Sequence, residues 1–196
     1  MRFGIRRLDA GGDNGRRYHL FDEDGRVELV ADYGSRWLAA EPGHHVRFAR
    51  SSGDVVASMR LPRPLLPGHN RQRSVSYAVI LNHAVYAIIN AYNTSTKTKA
   101  ALVTHFTIEV EGRQWLVLEQ TQGDPYFCLY DEASADLAIY DELLAAPLPE
   151  PIGQIYQSAG EYDFMAEMEG QLAHASLVLL ALIFLIDPLL DTGDKK

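Results

Sequence analysis

The sequence predicts a mainly β chain: a closed antiparallel barrel of about twelve strands around a central, buried, C-terminal hydrophobic helix. Three observations carry this. Period-two alternation broken by polar turns recurs from one end of the chain to the other. One stretch near the end, Ala175 to Ile186, is apolar at every position but Ser176. That stretch is too short to cross a bilayer and has the wrong flanks, so protein must bury it.

The strands come in pairs. "YHLFDEDGRVELV" is a run, a polar turn at Asp22-Glu23-Asp24-Gly25, and a second run. "VRFARSSGDVVASM" repeats the plan with Ser52-Gly53 at the reversal. "YAVILNHAVYAIINAY" turns at Asn82-His83, and "FTIEVEGRQWLVLE" at Glu111-Gly112. "YFCLYDEASADLAIY" is expected to turn near Glu132 to Asp136. "IGQIYQSAGEYDFMAEM" closes the series, with Tyr162, Phe164, Ala166 and Met168 alternating onto one face. Val, Ile, Tyr and Phe dominate the runs, as half-buried strands prefer.

The helix follows from the strands. A sheet of this many antiparallel strands removes its edges by closing on itself. About eight strands already leave an interior that side chains only just fill, so about twelve leave a void. A helix that is apolar on every side fills it. The twelve residues Ala175 to Ile186 reach about 18 Å against a hydrocarbon core of about 30 Å. Glu167 and Glu169 precede them and Asp187, Pro188 and Asp191 follow. Aromatic belts and basic anchors, the usual flanks of a membrane span, are missing.

Composition sets the remaining bounds. The chain has 196 residues, is 47% hydrophobic and 22% charged, and carries a formal net charge of −8. We expect one domain over 1–190 and a disordered tail over 191–196. The net charge repels nucleic acid and anionic lipid, so an anionic partner needs a local basic patch acting within roughly 8 Å. Cys128 is the only cysteine, which rules out an intrachain disulfide and a four-cysteine zinc site. The opening "MRFGIRRLDAGGDNGRR" has no apolar core of a signal peptide. The expected location is cytoplasmic, or peripheral at the membrane.

The order of the hairpins and the terminal helix resemble the tubby C-terminal-like superfamily, which includes phospholipid scramblases and LURP-one-related proteins. The pieces that carry the resemblance are "HLFDEDGRV", "GDVVASM", "YAVILNHAVYAII", "FTIEVEGRQW" and "YDFMAEMEGQLAHASLVLLALIFLID". Together they span nearly the whole chain in the right order. The resemblance implies a helix-plugged barrel and, since tubby domains hold phosphoinositide headgroups with basic residues, an anionic ligand. "YDELLAAPLPEPIGQIY" and "RLPRPLLPGHNRQRS" depart from the pattern by lengthening connections. The cysteine-rich patch and the carboxylate-rich loop of eukaryotic scramblases are absent, so calcium-dependent scrambling is not implied.

Few residues suggest chemistry. His44 and His45 are adjacent, so on a strand their imidazoles point to opposite faces and cannot share a metal. His83 is expected in a hairpin turn, His105 at the start of a strand and His174 at the opening of the helix. None has a partner at metal-ligand spacing, so no metal and no cofactor are expected. Asp22-Glu23-Asp24-Gly25 lacks the later ligands of a calcium loop and reads as a turn. Cys128 has no cation near it in sequence to favour a thiolate, so it reads as a small buried residue. No Gly-x-Ser-x-Gly and no phosphate-cradling glycine loop occurs, and nothing argues for an enzyme.

One loop stands out. Arg60, Arg63, Arg71 and Arg73 occur with no acid between Ser58 and Ser76, and Pro62, Pro64 and Pro67 hold the segment out of the sheet. Arginine forks suit phosphate oxygens. These four residues are the expected ligand-binding set, for an anionic phospholipid or phosphoinositide headgroup, in a non-catalytic binding module. The competing readings are a solvated linker with arginines paired to carboxylates, a protein-interaction scaffold, and an enzyme whose site the sequence does not display.

Overall fold

The register of the barrel begins at its tight turns. The computed structural model describes residues 1–10, 15–33, 45–60, 75–95, 102–120, 126–131, 150–169 and 172–190. Asn82 and His83 have φ of 50° and 66°, and Glu111 and Gly112 of 51° and 73°. Two consecutive left-handed residues make the type I′ reversal whose twist matches that of paired strands. At the Asp22 turn, Gly25 has φ of 73° and its N–H donates to the Asp22 carbonyl at 3.0 Å. The Asp22 carboxylate accepts from the backbone N–H groups of Asp24 and Arg26 at 3.0 and 2.8 Å, which is the work of a turn.

These turns join twelve strands: β1 (Arg2–Ala10), β2 (Gly15–Phe21), β3 (Val27–Tyr33), β4 (His45–Ala49), β5 (Val55–Arg60), β6 (Val75–Leu81), β7 (Ala84–Ser95), β8 (Leu102–Val110), β9 (Arg113–Gln120), β10 (Tyr126–Asp131), β11 (Gly153–Gln157) and β12 (Phe164–Met168). Each pairs antiparallel with its sequence neighbours, and β1 closes the barrel on β12, with Phe3 opposite Ala166 and Ile5 opposite Phe164. The Met1 ammonium donates to the Met168 carbonyl at 2.9 Å and pins that seam. Because the barrel runs up and down, strands β1, β3, β5, β7 and β9 all finish at the end away from the tight turns.

The helix α1 (Ala175–Leu190) runs through the barrel. Every residue from Val178 to Ile183 has zero exposed surface. Around it lie the inward residues of the strands, among them Ile5, Tyr18, Leu20, Ala31, Phe48, Met59, Ile89, Ile108, Leu129 and Ala166, each likewise fully buried. Phe184 meets the edges of Tyr18 and Tyr33 at centroid separations of 5.9 and 5.7 Å. The expected helix-plugged barrel is thus the observed fold. Among the described residues no helix is long and apolar enough to cross a membrane.

The strand count is twelve, as expected, with β1 among them. One expectation needs correction. The expected hairpin inside "YFCLYDEASADLAIY" is not how β10 pairs: β9 takes one edge and β11 the other, with Tyr126 opposite Gln120 and Tyr156. The alternation in "DLAIY" had suggested a partner, but Gly153–Gln157 holds that place; residues 132–149 lie outside the described set. The helix also continues past Ile186, through Asp187 and Pro188, to Leu190.

A second buried cluster lies on the outer side of the barrel. Leu116, Leu118, Cys128 and Tyr130 have the parity opposite to the inward Trp115, Val117, Phe127 and Leu129, yet are buried. Cys128 is therefore a packing residue, but of the outer face and not of the barrel core. Burial pushes its thiol pKa up, against a smaller opposing effect of a hydrogen bond with Tyr130. A thiol held protonated in this way is a poor nucleophile.

Candidate functional site

Because α1 fills the interior, any ligand must meet the barrel ends or its outer wall. The end where α1 enters has a cavity of about 240 Å³ lined by Arg113, Trp115, Asp131, Ile152, Glu169 and Leu172, together with Met168. A β-bulge near Val79 and Ile80 turns Tyr86 across this end, where its hydroxyl donates to the Ala173 carbonyl and its ring meets His174 edge-on at 5.6 Å. Burial, with Glu111 adding to it, pushes the Tyr86 phenol up to about 12. His174 stands just before the helix with φ of 57°. These contacts bind the helix start to the barrel rim.

The other end of α1 is held by charge. Asp187 is almost fully buried, at 2% exposure. It accepts from the Arg7 guanidinium at 3.1 and 3.2 Å and from the Tyr18 hydroxyl. The Tyr18 phenol is pushed well above its ordinary value by burial first and by Asp187 second. It stays protonated and can only donate to the carboxylate. An aspartate in the last turn opposes the helix dipole, so Arg7 and Tyr18 supply what the helix end itself does not.

The predicted site residues fall as follows. Arg60 is the last residue of β5, exposed, on the outer face. Arg63, Arg71 and Arg73 lie outside the described residues, as does His44. His45 opens β4, His83 sits in its hairpin turn, and His105 lies inside β8. Among the described residues no three His, Cys, Asp or Glu side chains converge as a metal-binding set.

What the structure adds is the neighbourhood of Arg60. The inward residues of β4 and β5 are Val46, Phe48, Ala57 and Met59. Their alternates His45, Arg47, Ser58 and Arg60 therefore share the outer face. The register sets His45 opposite Arg60 and Arg47 opposite Ser58, so the four side chains form a two-by-two block. On the β6 side the block is bounded by Ala78 and Ile80. On the β3 side Asp32 lies opposite Arg47. Asp32 is already held by Arg17 of β2 at 2.9 Å. Neither Arg47 nor Arg60 makes an ion pair with any described residue.

This block belongs to a larger asymmetry. Residues 1–100 hold fifteen Lys and Arg against nine Asp and Glu, a net of +6; residues 101–196 hold three against seventeen, a net of −14. Among the described residues, neighbours in sequence are neighbours around the barrel, so part of this difference falls between its walls. The described outer face of β1 to β5 carries Arg2, Arg6, Arg17, Arg47 and Arg60 against Glu28 and Asp32, while Glu109, Glu167 and Glu169 lie on β8, β12 and its exit; Arg2, Arg6 and Arg17 are paired, with Glu167, Glu161 and Asp32.

His19 reports the field on that wall. It lies opposite Arg6 and two residues from Arg17 on the same face of β2. Its pKa falls below the ordinary 6.5 through burial first, then through Arg17 and Arg6. The unfolded chain therefore takes up a proton that the folded chain refuses. The contribution of His19 to stability is complete above pH 6.5 and is lost as pH falls through that value, levelling below the folded pKa. An imidazole NMR titration should place His19 below 6.5, and Arg17→Gln should raise it. A His19 titrating at or above 6.5 contradicts a cationic wall.

In comparisons with protein-family models, with curated proteins and with solved structures, nothing matches this chain. The tubby-like resemblance thus rests on the order of the hairpins and the terminal helix. The loop signal points to Arg60 alone of this block, and His45 stands out in the sequence only as a histidine beside His44; Arg17 and Arg47 carry no linear signal of their own. Two sequence patterns bear on the block: the opposite charge of the two halves, and Arg47 alternating with Val46 and Phe48 in a strand.

Proposed function

We propose that this chain is a non-catalytic binding module of the tubby-like and scramblase-like kind, which docks on anionic phospholipid headgroups with the wall formed by β1 to β5. The observation that carries the reading is the segregation of charge. A molecule of net charge −8 presents outward arginines on β1, β2, β4 and β5 of one wall, and Arg63, Arg71 and Arg73 follow Arg60 in sequence. Such a wall orients the molecule as it approaches an anionic surface and turns its acidic wall away. The filled interior supports a surface site over an internal one. In this reading the protein works peripherally, at the cytoplasmic face of a membrane.

The test is sedimentation with vesicles. Vesicles containing phosphoinositide or phosphatidylserine should retain the protein at low salt and release it as salt rises, while phosphatidylcholine vesicles should not retain it. Changing Arg63, Arg71 and Arg73 together to Ser should abolish retention without moving the thermal midpoint. If the unaltered protein stays in the supernatant at low salt, the headgroup reading fails and a protein partner takes its place.

A further inference from the structure

From the register of β4 on β5 we infer that His45, Arg47, Ser58 and Arg60 form a discrete site for a phosphate-type dianion on the outer wall of the barrel. The site takes the terminal phosphate of a monoester, free or carried on a lipid. The membrane source rests on the proposed function; the site itself rests on the block geometry.

Three features distinguish the block from a merely basic surface. The first is its composition. Two guanidinium groups, an imidazole and a hydroxyl offer donors from four neighbouring positions, with the arginines on the diagonal of the block. Directly opposed outer-face residues have Cβ atoms about 5 Å apart and diagonal ones about 7–8 Å apart, so two long arginine side chains are within reach of one group the size of a phosphate. A phosphate dianion offers several acceptor oxygens, and arginine forks grip such oxygens in pairs.

The second is the unmet charge. Two cations on one diagonal repel each other, and neither Arg47 nor Arg60 is neutralised by a described carboxylate. The two guanidinium groups stand on a diagonal and not directly opposite, so their repulsion is modest. A bound dianion removes that repulsion.

The third is the position of Asp32. Register alone would let it pair with Arg47. Instead the Arg17 guanidinium holds its carboxylate at 2.9 Å from the opposite side. Arg17 is thus a positioning residue: it keeps the neighbouring acid from occupying Arg47. Arg17, Asp32 and Arg47 fall in one row across β2, β3 and β4, since Arg17 opposes Asp32 and Asp32 opposes Arg47.

The experiment is a titration of the full chain with inorganic phosphate, followed through the arginine Nε–H and histidine imidazole NMR signals. The signals of Arg47, Arg60 and His45 should move together and saturate. Arg47→Gln and Arg60→Gln should each weaken binding on the order of tenfold, and Ser58→Ala by a few fold. Two substitutions separate a built site from general attraction. Asp32→Asn removes the adjacent acid and should tighten binding. Arg17→Gln should weaken it although Arg17 does not touch the anion, and Asp32→Asn in that background should restore it. Shifts spread over the whole wall without saturation, or no rescue by Asp32→Asn, overturn the site.

A parallel arm uses phosphatidylcholine vesicles with and without phosphatidate, whose headgroup is a monoester. Saturable phosphate binding without vesicle retention supports the site and overturns the lipid source. Retention by anionic vesicles without phosphate binding, unaffected by Arg47→Gln, overturns the site and leaves the proposed function standing.

Discussion

Leu180→Asp yields no folded protein, and Ile183→Asp does the same. Both residues have zero exposure in the middle of α1, surrounded by the inward side chains of the barrel. A carboxylate there has no cation and no water to meet. Burying an ionised carboxylate uncompensated costs far more than the roughly 5–15 kcal/mol by which a domain is stable. Protonation relieves only part of this, because the neutral acid still needs a hydrogen-bond partner. Circular dichroism and heteronuclear NMR of the purified variants should show loss of the native fold. Leu180→Ala is the graded control: a cavity left by a buried leucine costs about 2.7–5 kcal/mol, so it should fold with a lowered melting temperature. Removing 175–196 should unfold the chain as well, since the barrel would lose the element that fills it. A stable, monomeric barrel from the chain truncated at His174 would show that α1 is an appendage and not a core.

That prediction was legible from sequence because a helix apolar on all sides admits few environments. The tight turns were legible for a similar reason. Asn82-His83 and Glu111-Gly112 break period-two runs at a single point, and both pairs take the left-handed conformation a two-residue reversal requires. The wrong partner for β10 has a physical cause too. Local alternation says that a segment suits a sheet, but not which edge it pairs with, and a long connection lets another strand compete. β1 is hard to see in the sequence because Arg6 and Arg7 interrupt its pattern. The structure gives each a reason to sit in a strand. Arg6 lies over the rings of Phe21 and Tyr162 at 5.3 and 5.8 Å and donates to Glu161, and Arg7 reaches Asp187. Gly4 permits this arrangement, since a Cβ there would stand 2.6 Å from the Tyr162 ring.

The candidate site was half legible for the same reason that β1 was not. A basic loop free of acids is a linear signal, visible without a fold. A block of four residues from two strands is a product of register, and register depends on turn length and bulges. Arg47 acquires meaning only when Arg60 stands diagonal to it and Asp32 is already taken.

The second large effect is expected at the far end of the helix. Asp187→Ala should cost about 2–4 kcal/mol, more than an ordinary buried-to-alanine change of that size. The carboxylate is the acceptor for two donors of unlike exposure. Arg7 keeps 41% of its side chain exposed, so its guanidinium stays solvated when Asp187 is lost. The Tyr18 hydroxyl, on a residue with zero exposure, has no such escape, so it is the buried donor that sets the cost. Tyr18→Phe should therefore recover much of the loss in the Asp187→Ala background, although alone it destabilises by leaving the carboxylate with Arg7 only. Arg7→Met should hurt more with Asp187 present than absent, because it leaves a buried charge unpaired against the dipole of the helix end. Chemical denaturation of the four-member Tyr18/Asp187 cycle measures the coupling directly. A coupling near zero, with Asp187→Ala no worse than a surface change, would mean that the helix end is held by packing of Phe184 and Ile186 alone and that the acid is incidental.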